Sequence, residues 1–78
     1  MTTLKRLREE ARMTQQELAV AAGLSLTHVG YLERGYRRDP GVSTVRALAR
    51  ALAPRLGRST ADVLAELMGE EVEHAGAH

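Results

Sequence analysis

The sequence predicts an all-α domain of five short helices, and three observations carry that prediction. Apolar residues recur at helical spacing along most of the chain, and the two-residue alternation of a half-buried strand is missing. Cap and breaker residues then cut this periodicity into pieces of helical length. Finally, 78 residues with 44% apolar and 27% charged side chains suit one small folded domain, with no room for separate catalytic and regulatory domains. The absence of cysteine excludes a disulfide scaffold, a Cys-ligated zinc site and thiol catalysis together. No apolar run approaches membrane-spanning length, and the chain start lacks the apolar stretch of a signal peptide.

Each element has its own justification. Leu4, Leu7 and Ala11 stand at i, i+3 and i+7 among charged neighbours, which predicts an amphipathic first helix over roughly 3–12. Thr14 and Glu17 have the spacing of a capping box, with Met13 and Leu18 at the staple positions around it. The second helix opened there should run to about Ala22 and stop at Gly23. Ser25 is the expected N-cap of a third helix ending at Gly35. Residues 36–42 read as a basic loop with an Asp-Pro-Gly turn signal. Ser43 is the expected cap of a fourth helix, whose Val45, Leu48, Ala49 and Leu52 form its apolar face and which Pro54 should end. Ser59 and Asp62 open a fifth helix carrying Val63, Leu64, Leu67 and Met68. Glu70 to His78 lack periodicity, so the expected organisation is a domain over 1–69 and an acidic, flexible tail over 70–78. With no Phe or Trp, the core must be built from Leu, Val, Ala and Met.

Residues 14–35 carry more specific information. A short helix, a Gly-containing turn and a second short helix follow one another, with Ala19 one turn before Gly23 and Val29 inside the second helix. A small Ala19 lets the helices cross closely, Gly23 permits the reversal, and Val29 fills the angle between them. That pattern is a helix-turn-helix, whose second helix is usually presented to the DNA major groove.

On these residues the chain resembles the Cro/Xre-type, phage-repressor-like helix-turn-helix proteins. The likeness rests on Leu7-Arg8, the run Thr14-Gln15-Gln16-Glu17-Leu18-Ala19, Ala22-Gly23-Leu24-Ser25, and Val29-Gly30-Tyr31-Leu32-Glu33-Arg34-Gly35. It continues from Thr44 through Leu52 and covers roughly residues 3–69. The resemblance implies a compact five-helix DNA-binding domain acting as a transcriptional regulator, often as a dimer on a palindromic operator.

Carried over position by position, Gln15 matches the family's glutamine that contacts a phosphate and braces the recognition helix. Thr14 and Ser25, at the two helix starts, join it in the implied DNA-binding set. Leu26, Thr27, His28 and Tyr31 occupy the groove-facing positions of the third helix. Relatives often have Gln or Arg there, so Leu26 and Thr27 depart from the pattern. Such groups can read a thymine methyl but cannot make a bidentate bond to guanine, which moves hydrogen-bonded base recognition toward His28, Tyr31 and Arg34. Arg34, Tyr36, Arg37 and Arg38 suit phosphate contacts that set register without reading bases. Arg46 and Arg50 on the fourth helix are explained equally well by solubility. Glu33 is expected to orient a nearby arginine, and Gly30 in mid-helix to mark close backbone approach to a neighbouring helix or to DNA.

The fifth helix holds more apolar surface than a small domain is expected to bury. The resemblance makes Val63, Leu64, Leu67 and Met68 the implied dimer interface, an isologous contact, with a fifth core helix as the plain alternative. Asp62, Glu66 and Glu70 form an acidic stripe on the same helix, suited to repelling DNA or meeting a basic protein. The net charge of +1 conceals this division: residues 1–58 carry eleven basic and five acidic side chains, net +6, and residues 59–78 carry five acidic and no basic ones.

The leading expectation is a cytoplasmic, nucleoid-associated regulator that binds double-stranded DNA as a homodimer, of the small repressor or controller-protein kind. The alternative is a protein-interaction module such as an antitoxin or regulatory subunit, favoured by the Pro54-Arg55 segment and the acidic tail. No cofactor or metal is expected; His74 and His78 would pair on a metal only in a helical tail. An enzyme has little support: Ser25, His28 and Asp39 are close in sequence, but the serine is better used as a cap and no oxyanion loop is evident.

Overall fold

The computed structural model describes residues 1–35 and 40–76, with side chains described through residue 69. Among the described residues the chain forms five α-helices and no strand: α1 (Thr2–Glu10), α2 (Gln15–Ala22), α3 (Leu26–Arg34), α4 (Val42–Leu56) and α5 (Thr60–Gly76). The core is aliphatic, as the composition requires. Leu4, Leu7, Leu18, Val29, Leu32, Val45, Leu48, Leu52, Val63 and Leu67 are fully buried, with Met1 and Met13 closing its margins.

The first helix is shorter than its periodicity predicts. It stops at Glu10 because Arg12 takes a left-handed conformation (φ 58°), where its N–H donates to the Glu9 carbonyl and that of Met13 donates to the Arg8 carbonyl. This is a Schellman-type termination with arginine in the position glycine usually fills. No glycine announces it, so the sequence pattern runs past it.

The fourth helix departs from expectation at both ends. Gly41 rather than Ser43 is its N-cap, and no side chain caps it; the Gly41 carbonyl accepts from the Thr44 and Val45 amides instead. Pro54 does not end the helix but lies within it, one turn before Gly57 (φ 65°) closes it. The extra turn brings Leu56 against the core, and that burial offsets the hydrogen bond proline cannot make.

The fifth helix packs chiefly on α4, and its first turn is capped by Ser59, whose Oγ accepts from the Asp62 amide at 3.0 Å. Val63 and Leu67 are fully buried within the single chain, so the expectation that they form a dimer interface is corrected. They stand one turn apart on the stripe that faces the core. Leu64 and Met68 flank that stripe and are only partly buried. The helix continues through Gly76, past the boundary expected at residue 69. No helix of the described residues is long and apolar enough to cross a membrane.

Candidate nucleic-acid interface

Two capped helices and one left-handed glycine build the site. Thr14 Oγ1 accepts from the Glu17 amide at 3.0 Å and the Thr14 amide donates to Glu17 Oε1 at 2.8 Å, which completes the expected box. The bond from the Thr14 backbone amide lowers the pKa of the Glu17 carboxyl from its ordinary value. Gly23 ends α2 at φ 71°, and the Leu24 amide reaches back to the Ala19 carbonyl at 2.9 Å. Ser25 then caps α3, its Oγ accepting from the His28 amide at 3.0 Å. The serine is therefore occupied as a cap, the role the sequence assigns it over that of a nucleophile.

The orientation of α3 follows from which residues it buries. Val29 and Leu32 enter the core, and Ala19 and Leu18 from α2 enter beside them. On the outer side Leu26 is 47% exposed and Tyr31 42% exposed. Thr27 and Arg34 are also exposed, and His28 is half-buried. Thr27, Tyr31 and Arg34 stand at i, i+4 and i+7, so they share one face, with Leu26 at its leading edge. The structure thus brings Leu26, Thr27, Tyr31 and Arg34 onto one surface and turns His28 partly aside. Tyr36, Arg37, Arg38 and Asp39 lie outside the described residues.

Glu33 is the buried acidic group beneath this surface, 3% exposed at its side chain. Arg8 from α1 grips it with two bonds, Nε to Oε2 at 2.6 Å and Nη2 to Oε1 at 3.1 Å. The same guanidinium donates to the Met13 carbonyl at 2.9 Å, so it ties α1, the turn before α2 and the end of α3 together. Its bonds to Glu33 raise the Arg8 pKa above its ordinary value, so the guanidinium keeps its charge. Gln15 Nε2 donates to Glu33 Oε1 at 3.0 Å, which fixes the start of α2 to the last turn of α3. Arg8 is the residue of this cluster that sequence reasoning left without a role, although it lies inside the Leu7-Arg8 match. The Met1 nitrogen also donates to the Leu32 and Glu33 carbonyls at the same helix end.

Of the two close approaches expected at Gly30, to a neighbouring helix or to DNA, the first is not seen among the described residues. Among the described residues, a Cβ built there meets only the Arg34 guanidinium, at an ordinary 3.9 Å. That distance leaves the Arg34 head group lying back over the middle of α3.

Comparison with known proteins agrees with this architecture. The helix-turn-helix family matches residues 4–53. Among curated proteins, the chain is 47% identical over 47 residues to a Sinorhizobium fredii protein named uncharacterized HTH-type transcriptional regulator y4dJ, covering 60% of this chain and 60% of that one. It is 39% identical over 49 residues to a second, y4dL, from the same organism, covering 63% of this chain and 24% of that one. The match therefore spans less than two thirds of the length of either relative. No solved structure matches the chain.

Proposed function

The chain belongs to the helix-turn-helix family, and from that premise we propose that it is a sequence-specific, DNA-binding transcriptional regulator that lays α3 in the major groove of its operator. The observation that carries the reading is the outward face of α3. Four exposed side chains, Leu26, Thr27, Tyr31 and Arg34, project from a helix whose other side is locked into the core and into the Arg8–Glu33–Gln15 cluster. A rigid helix with an exposed outer face can bind DNA without rearranging first. Thr14, Gln15 and Ser25 then sit at helix N-termini, where backbone amides and the helix dipole favour phosphate oxygens. Arg37 and Arg38 extend the phosphate contacts beyond α3.

The regulator acts as a repressor or controller protein and binds a palindromic operator as a homodimer, with two recognition helices one helical turn, about 34 Å, apart. With Val63 and Leu67 committed to the core, the dimer contact narrows to Leu64 and Met68 on the flank of α5. No enzymatic role is proposed; the regulator relatives and the use of Ser25 as a cap support this.

Selection of bound duplexes from random sequence, followed by anisotropy titration at several salt concentrations, tests the reading. Affinity should fall with salt, with a log–log slope of about −0.9 for each phosphate neutralised. Thr27→Ala or Tyr31→Ala should flatten sequence preference, whereas Arg37→Ala or Arg38→Ala should weaken all duplexes alike and each lower the slope by about 0.9. Undetectable or salt-independent binding to every duplex would refute the proposal. Sedimentation separates the dimer: Leu64→Glu should shift the mass to that of a monomer.

A further inference from the structure

Resting on the DNA-binding reading above, we infer that this regulator recognises the 5-methyl groups of thymine through the first turn of α3, with Leu26 as the main specificity-determining residue. The argument begins with what the first turn lacks. Leu26 and Thr27 offer no pair of parallel donors, and neither does Tyr31 one turn later. Guanine needs such a fork for its O6 and N7, and adenine needs a side-chain amide for its N6 and N7. The arginine of this face, Arg34, belongs to the last turn of the helix, and its guanidinium lies back toward Gly30, one turn beyond Leu26. Leu26 and Thr27 at the leading end of α3 thus lack the bidentate group that reads either purine most strongly.

The structure supplies the positive half of the inference. Had Leu26 been a packing residue, it would lie in the core beside Val29 and Leu32, which are fully buried. Instead 47% of it is exposed, at the end of the helix that reaches base edges in helix-turn-helix complexes. Tyr31, 42% exposed, lies on the same surface, and Thr27 between them adds a methyl and a hydroxyl. An apolar edge held in water gains by covering apolar surface, and of the four bases only thymine presents a methyl in the major groove. The hydroxyls of Thr27 and Tyr31 can donate to the adjacent thymine O4. Size, polarity and position all match one base.

The probe is the selected operator duplex with deoxyuridine replacing thymidine one position at a time, which removes the methyl and keeps the hydrogen-bonding edges. At the positions facing α3's first turn, the wild-type chain should lose about fourfold in affinity per methyl. Leu26→Ala should bind the thymidine duplex more weakly and should no longer distinguish it from the deoxyuridine duplex at that position. Leu26→Gln should shift the preferred base there toward adenine. Leu26 is exposed, so these variants should keep the wild-type thermal unfolding curve. Specific binding that is indifferent to deoxyuridine at every position, or that keeps its sensitivity in Leu26→Ala, would overturn this inference while leaving the DNA-binding reading intact. Failure to bind any duplex would overturn both.

Discussion

Glu33 is where stability and function are most closely joined. Its carboxylate is 3% exposed and receives two bonds from Arg8 and one from Gln15. Truncating it to alanine leaves a guanidinium that is only 13% exposed with its main partner gone. Glu33→Ala should cost about 3 kcal/mol in urea unfolding, near the lower end for a broken buried pair because Arg8 keeps its bond to the Met13 carbonyl. The paired variant Arg8→Met with Glu33→Leu separates the two roles. It replaces both charges with apolar groups of similar length, a change that is often neutral for stability. It also removes the acceptor that holds Gln15 against α3. The expected outcome is an unfolding free energy close to wild type together with weakened duplex binding. Recovery of both would mean that the cluster serves folding alone.

At the scale of the element, Pro54 shows what tertiary packing can override. A proline costs about 3 kcal/mol in a helix interior, and on that ground the helix should stop there. It continues because Leu56 gains partial burial against the core and Gly57 provides the left-handed closure one residue later. Pro54→Ala should therefore raise stability by about 1 kcal/mol, the full propensity difference being reduced so near the helix end. A thermal melt that fails to rise would show that the helix does not depend on residue 54 for its last turn. The same contrast explains how far the sequence could be read. The helix-turn-helix was legible because its signals are local: the Thr14–Glu17 box, Gly23 and the Ser25 cap each act within a few residues. The end of α1 was not, since Arg12 closes it without the glycine that usually marks such a site. Nor was the fate of Val63 and Leu67, because spacing shows that they share a helix face but not what α4 offers that face. On α3 the exposed residues followed from the family pattern, whereas Arg8 as the partner of Glu33 depends on a contact across 25 residues of sequence.

Across the whole molecule, the near-neutral charge resolves into a basic segment and an acidic helix joined by an ion-pair cluster. Glu66 on α5 accepts from Arg6 of α1 and pairs with Arg58 at 2.8 Å, while Arg6 also meets Glu10 at 2.6 Å. Two cations of the positive segment, Arg6 and Arg58, are thereby bound to the acidic helix. The cluster also fastens the last helix to the first, which gives it a pH signature. The bonds from Arg6 and then Arg58 hold the Glu66 carboxyl below its ordinary value. A carboxyl with a depressed folded-state pKa stabilises above its unfolded value, about 4.3, and loses that contribution as the pH falls through the folded value. At neutral pH the urea midpoint of Glu66→Gln should therefore lie below that of wild type. The gap should close as the pH falls through the depressed folded-state value, where wild-type Glu66 becomes protonated as well. It should also narrow at high salt, because these groups remain accessible to solvent. A gap that persists unchanged at both low pH and high salt would mean that Glu66 holds α5 in place by packing and not by its charge.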